Sequence, residues 1–158
     1  MNKILNSIYS DSTKFYVSNP YPKKGETITI RLRVLENDVI DKILLRYKKF
    51  GVEVLTDMEV IKTENHMTYY QAEAECLEDK LNYQFYITAG DKLFFYTQYR
   101  ITDYLPDESK DFTIFVDYDG PQWMRDTYFY QILPDRFYNA RPDLTVKPGS
   151  YTYQGHKP

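Results

Sequence analysis

The chain has 158 residues, enough for one domain with a proper core, or one domain plus a fragment. A hydrophobic fraction of 42% with 27% charged residues excludes a disordered chain. The 20 basic and 23 acidic residues stand in mixed order with no basic stripe, which argues against nucleic acid as a partner, and no stretch has the length of a membrane-spanning helix.

The aromatic content stands out, with 17 Tyr, 9 Phe and 1 Trp. Tyrosine favours strands, because its broad ring packs on a pleated surface. It also offers a flat apolar face with a polar tip, which suits carbohydrate and protein surfaces. The single cysteine, Cys76, rules out an internal disulfide or a cysteine-cluster metal site, and it is expected to act as a small buried hydrophobe. Residues 1–9 carry a short apolar patch (Ile4, Leu5, Ile8) without a cleavage pattern. No secretory signal is expected, and a reducing, cytoplasmic setting is the default.

In chain order, Pro20, Pro22 and Gly25 supply turn chemistry before the first strand. Residues 27–34 then alternate strictly, with Ile28, Ile30, Leu32 and Val34 on one face and Thr29, Arg31 and Arg33 on the other. Glu36, Asn37 and Asp38 break the pattern. A strand over 42–48 places Ile43, Leu45 and Tyr47 on one face, and Gly51 interrupts. A third strand is expected over 58–63, with a turn at Asn65. Residues 69–76 point Tyr70, Ala72, Ala74 and Cys76 inward and Tyr69, Gln71, Glu73 and Glu75 outward. Residues 81–89 repeat the scheme, with Tyr83, Phe85 and Ile87 opposite Gln84, Tyr86 and Thr88. Ala89-Gly90-Asp91-Lys92 is a hairpin-type turn into 93–96, and 112–116 closes the set. Roughly seven or eight short strands without a helical period predict an all-β, immunoglobulin-like antiparallel β-sandwich. The inter-sheet cysteine pair of antibody domains is absent, so the likeness is architectural.

The character changes after this. Residues 117–121 read as a linker. Trp123, Met124, Arg125 and Asp126 follow, and then the apolar run 127–133, which suits a buried strand stopped by Pro134. A lone strand with a long loop cannot bury itself, so the tail reads as the start of something larger. The predicted organisation is a sandwich over 1–120 and a second, truncated unit over 121–158.

Pro121-Gln122-Trp123, then Tyr130-Gln131-Ile132-Leu133-Pro134-Asp135-Arg136-Phe137 and Asn139, resemble the opening of the catalytic barrel in the α-amylase family of glycoside hydrolases. Tyr151-Thr152-Tyr153-Gln154-Gly155 fits the first loop of that barrel. The neopullulanase, cyclomaltodextrinase and maltogenic amylase subgroup is the most similar, and its members carry a sandwich before the barrel, described as a starch-binding module. The resemblance thus implies a non-catalytic N-terminal module followed by the first strand and loop of a (β/α)8 barrel.

It implies no catalytic residue in this chain. Retaining cleavage of a glycosidic bond needs two carboxylates about 5–5.5 Å apart, placed at the ends of different strands of a barrel of about 250 residues. The family's catalytic carboxylates would lie beyond Pro158, so the chain should be inactive alone, and Asp135 and Arg136 are expected to pair locally. In the subgroup the loop after Phe-x-Asn continues Gly-Asp-Pro and can hold calcium. Here Asn139 is followed by Ala140 and Arg141, so no metal is expected there. His66 and His156 have no ligand spacing and are expected at the surface; no cofactor is implied.

The implied partners are α-glucans (maltooligosaccharides, cyclodextrins, starch or pullulan), the chain's own catalytic barrel, and a second copy in a homodimer of the full-length enzyme. For glucan binding, the outward Tyr69 and Tyr86 are the expected stacking platform, with Gln71 and Gln84 as polar partners. The alternative is a dimerisation module that shields the active site and binds no sugar by itself.

Overall fold

The computed structural model describes residues 7–36, 39–124, 127–133, 138, 141–145, 147–152 and 154–156. Ile4, Leu5, Asn37, Asp38, Arg125, Asp126, Pro134, Asp135, Arg136, Phe137, Asn139, Ala140 and Tyr153 lie outside the described residues. The chain divides into two units, Met1–Asp119 and Gly120–Pro158.

The first unit is all-β, with antiparallel sheets. Its strands are β1 (Thr27–Leu35), β2 (Lys42–Lys49), β3 (Val52–Asp57), β4 (Glu59–Glu64), β5 (Met67–Glu75), β6 (Lys80–Ala89), β7 (Lys92–Tyr96), β8 (Ile101–Thr102) and β9 (Phe112–Phe115). The smaller sheet has the order β1-β5-β4. The larger runs β3-β2-β6-β7-β8, and β9 pairs with the first half of β6 while β7 pairs with its second half.

Period-two alternation fills the space between the sheets. Ile28, Ile30, Leu32 and Val34 of β1 are buried, as are Ile43, Leu45 and Tyr47 of β2 and Leu81, Tyr83, Phe85 and Ile87 of β6. Ala72, Ala74 and Cys76 are small, which leaves room for the rings that dominate the centre. The ring of Tyr83 stacks on Phe112 at 5.2 Å, and Phe85 meets Tyr96 at 5.8 Å. Burial of that size makes Phe85→Ala a loss of about 3–5 kcal/mol. Cys76 is fully buried just past β5, where its amide donates to Glu26 O and its carbonyl accepts from Gly25 N, both at 2.8 Å. Burial first, and then the Glu26 charge, push its thiol up to about 11.

The turns follow backbone chemistry. Asn65 and His66, between β4 and β5, both adopt positive φ (51° and 61°), as the two-residue hairpin loop with the right twist requires. Phe50 and Gly51 do the same between β2 and β3, with φ of 52° and 76°. Gly51 therefore does more than interrupt: it turns the chain into β3, a strand the sequence reading passed over. β3 lies at a sheet edge and is mostly exposed, so its apolar alternation is weak.

Before β1, residues 7–18 lie along that strand through single bridges, Tyr9 to Arg33 and Val17 to Ile30. The Tyr96 hydroxyl donates to Ser10 O and accepts from Ser10 N, both at 3.2 Å. This ties β7 of one sheet to the segment beside β1 of the other.

The second unit has short 3-10 turns at Gln122–Met124 and Pro142–Leu144 and a ring contact between Trp123 and Phe129 at 5.9 Å. The strand expected over 127–133 is not formed, and Tyr128 is 100% exposed. A strand exists through its ladder, and no neighbouring strand offers one among the described residues of this unit.

Candidate functional site

The outward side chains of the smaller sheet form cross-strand rows. In one, Arg33 of β1 stands opposite Tyr69 of β5, and Tyr69 stands opposite Lys62 of β4. In the next, Arg31, Gln71 and Glu59 line up in the same way. Directly opposed side chains on a sheet face are within contact distance, so each row acts as a unit.

The preceding segment adds the aromatic part. Asp11 accepts from Thr13 N at 2.8 Å, from Thr13 Oγ1 at 2.6 Å and from Tyr9 OH at 2.9 Å. Burial pulls the Asp11 carboxyl upward, but these hydrogen bonds outweigh it and hold the group below the ordinary range. The turn so fixed continues through Tyr16 N and Val17 N, both bonded to Thr13 O, and sets Phe15 on the sheet face. Arg31 fastens it there: Nη1 donates to Phe15 O at 2.9 Å while Nε donates to Gln71 Oε1 at 3.1 Å.

The result is a continuous ring cluster. Phe15 meets Tyr69 edge-on at 5.7 Å and Tyr16 at 4.9 Å, and Tyr16 meets Tyr9 at 5.4 Å. Tyr16 is buried beneath the others, with its hydroxyl pushed up to about 12 by burial. Phe15 remains 48% exposed, Tyr9 is exposed, and Tyr69 is half-buried. Cations border the rings: Lys62 Nζ lies 5.0 Å from the Tyr69 centroid, and the Arg33 guanidinium 4.9 Å from that of Tyr9. Together these groups form an apolar shelf edged by amide, guanidinium and ammonium donors.

The other two expected site residues lie elsewhere. Tyr86 and Gln84 belong to β6, on the outer face of the larger sheet, so the four residues do not converge. Gln84 is corrected outright: it is 1% exposed and cannot meet a ligand from solvent. It stands opposite Arg46 of β2, itself 5% exposed. A chain segment containing the 3-10 turn Glu108–Lys110 roofs this region. Arg46 Nε donates to Glu53 Oε1 at 2.7 Å, Nη2 to Glu108 Oε1 at 2.9 Å and Nη1 to Asp111 Oδ2 at 3.2 Å. Lys48 also pairs with Glu108. Burial drives the Asp111 carboxyl up to about 6, although Arg46 pulls it the other way. Tyr86 leans edge-on against Phe95 at 4.8 Å and is half-buried.

Sequence reasoning missed Tyr9 and Phe15, which lie outside any predicted strand. The available signal was the pair of aromatic residues flanking Ser10-Asp11-Ser12-Thr13, a turn-forming run. Among the described residues, no group of three or more His, Cys, Asp or Glu is placed to hold a metal ion. Nor is any helix long and apolar enough to cross a membrane.

Comparison with known proteins bears on this architecture directly. Residues 6–116 match the family model of the alpha amylase N-terminal ig-like domain. The chain belongs to that family. It is 30% identical over 140 residues to a cyclomaltodextrinase of Geobacillus thermopakistaniensis, covering 80% of this chain and 24% of that protein. It is 27% identical over 158 residues to an amylopullulanase of Thermoanaerobacter thermohydrosulfuricus, covering 85% of this chain and 10% of the relative. The chain thus spans a quarter or less of these curated relatives. Among solved structures, a cyclomaltodextrinase superposes with a TM-score of 0.62 at 19% identity, over 80% of this chain and 23% of that one. The maltogenic amylase from S. marinus gives 0.56 at 20% identity, over 90% and 19%. At these identities the superpositions speak for the fold.

Proposed function

We propose that this family member is the non-catalytic N-terminal module of an α-glucan-hydrolysing enzyme, and that it contributes glucan binding through the outer face of its smaller sheet. In this reading 1–120 is the binding module and 121–158 leads into a catalytic barrel that carries the hydrolytic carboxylates. The parent enzyme acts on α-glucans such as maltooligosaccharides, cyclodextrins or pullulan, and its relatives are named cyclomaltodextrinase and amylopullulanase.

The observation that carries the reading is the shelf of Phe15 and Tyr69 with Gln71 and Arg31 at its border. Rings held in place by neighbours lose little freedom when a sugar stacks on them. The amide of Gln71 is oriented by Arg31, so its nitrogen would meet a hydroxyl without rearrangement.

Calorimetric titration of the 158-residue chain with maltoheptaose and β-cyclodextrin tests this. Saturable heat that Phe15→Ala or Tyr69→Ala abolishes supports the reading. Absence of heat at millimolar ligand sinks it.

A second reading, a dimerisation module that shields the active site, is favoured by a different observation. The edge strands β3 and β4 follow each other in the chain and expose Val52, Leu55, Val60 and Ile61. Exposed apolar edges are where another chain adds on. The size of the intact enzyme in solution, with Leu55→Asp and Val60→Asp as probes, separates the two readings.

A further inference from the structure

The segment 103–110 covers part of the larger sheet without burying itself. None of its residues is buried, and Pro106 alone is half-buried. It therefore gains little from the hydrophobic effect, while ordering each of its residues costs conformational entropy. Its ends are firm, because Thr102 and Asp111 are buried. Near those ends Thr102 Oγ1 donates to Tyr104 O at 2.7 Å, and Gln98 N donates to Lys110 O at 3.2 Å. Over the body of the sheet the segment is held by charge: Arg46 and Lys48 of β2 both pair with Glu108.

Asp111 completes the same cluster. Its side chain is 0% exposed, and Oδ2 accepts from Arg46 Nη1 at 3.2 Å. Oδ1 is buried with no donor among the described residues. Gln84 Oε1, on the strand position opposite Arg46, is a second buried acceptor in the same condition. The charges are unbalanced as well. Glu53, Glu108 and Asp111 share Arg46 and Lys48, three carboxylates to two cations. Asp107 adds a further negative charge, and the Tyr86 hydroxyl turns to Glu53 at 3.5 Å. The Lys110 ammonium sits over the Tyr99 ring instead. An enclosed carboxylate short of donors, in a cluster with surplus negative charge, is a place where a proton binds. Burial accordingly pushes the Asp111 carboxyl up to about 6, against the pull of Arg46.

We propose that Asp111 is a proton-operated latch on the segment 103–110: with its carboxyl protonated the segment stays closed on the larger sheet, and with it ionised the segment opens more often while the rest of the sandwich stays folded. The proton comes from solvent and returns to it. Opening brings water to Asp111, which then titrates as an ordinary aspartate near about 3.9. The extra firmness of closure is therefore complete below that value, falls as pH rises to about 6, and is level above it. Glu108 is held low by Lys48 and then Arg46, so its contribution runs the opposite way, and only below the usual glutamate value of about 4.3. Mild acid thus tightens the segment, and a return to neutral pH loosens it.

The test is native-state hydrogen exchange of the full chain at pH 5 and pH 7, with rates corrected for the intrinsic effect of pH. The amides of Gln98, Lys110 and Asp111, bonded to Lys110 O, Asp107 O and Glu108 O, report the segment. They should exchange through openings far more frequent than those of the β6 core, and be open roughly tenfold more often at pH 7 than at pH 5. Asp111→Asn, which cannot ionise, should remove that difference. In the wild type, the carbon-13 shift of the Asp111 carboxyl should titrate with a midpoint near about 6. Equal protection at both pH values would overturn the latch, as would an ordinary aspartate midpoint or an asparagine variant that keeps the difference. Exchange of the three amides only at the rate of the β6 core would also overturn it, because the segment would then open only with the whole sandwich.

Discussion

The two outer faces of the sandwich start from the same kind of strand and end in opposite states. On the smaller sheet, Arg31, Arg33, Tyr69 and Gln71 meet solvent, and an N-terminal turn adds Phe15 to the surface. On the larger sheet, Arg46 and Gln84 occupy equivalent outward positions but lie beneath the segment that ends at Asp111. Where the chain does not return across a sheet, outward residues are available to a ligand. Where it does return, they must satisfy each other, and a guanidinium with three carboxylate partners is the outcome. Facing away from the core is therefore not the same as facing water.

The sharpest way to break this contrast is at Arg46. Arg46→Ala leaves Asp111 buried without its cation and should cost about 3–5 kcal/mol in urea unfolding at neutral pH. The lower end applies, because Glu53 and Glu108 are half-exposed and regain water. Arg46→Met combined with Asp111→Leu should recover part of the loss, since the buried charge goes with its partner.

The next effect is in pH. Asp111 titrates near 6 in the folded protein, whereas an unfolded aspartate titrates near about 3.9. Between those values the native state holds a proton that the unfolded chain has released. The stability contributed by this group is therefore complete below the unfolded value, falls as pH rises from about 4 to 6, and is flat above that. Relative to Asp111→Asn, the wild type should lose on the order of 3 kcal/mol across that window in unfolding series at matched ionic strength. Glu108 runs the other way: hydrogen bonds from Lys48 and then Arg46 hold it low, so its contribution is lost as pH falls.

The smallest effects divide the faces most cleanly. Phe15→Ala should abolish glucan heat while changing stability by only about 1 kcal/mol, the worth of an exposed aromatic pair. Tyr86→Ala should leave glucan heat intact and lower stability by a similar amount, through loss of its contact with Phe95. Calorimetry and thermal unfolding on both variants check the pair. A Tyr86 variant that loses glucan heat would move the site to the larger sheet.

Much of the fold was legible because the core side of each strand is written in period two. Ile28 to Val34 and Tyr83 to Ile87 needed no tertiary information to orient them. β3 was not legible, since an exposed edge strand has no buried face to impose alternation. The site was half legible. Tyr69 and Gln71 share a face by spacing alone, but Phe15 joins them only through the turn at Asp11 and the reach of Arg31 across the sheet. Gln84 was misplaced because its cover comes from residues more than twenty positions later, which no local pattern encodes. Residues 127–133 read as a buried strand, yet burial needs neighbours that the described residues of this unit do not supply.

Cys76 gives the sandwich an internal clock. Only a thiolate attacks an alkylating reagent, and this thiol is both walled in and held protonated at neutral pH. It can react only in the moments when the end of β5 parts from Glu26 and Gly25. When reclosing outpaces the reagent, the rate of labelling counts the fraction of time spent open. Because an adduct cannot be repacked in a site with no spare space, each reaction removes a molecule from the folded pool for good. Slow electrophiles would thus deplete the domain one opening at a time.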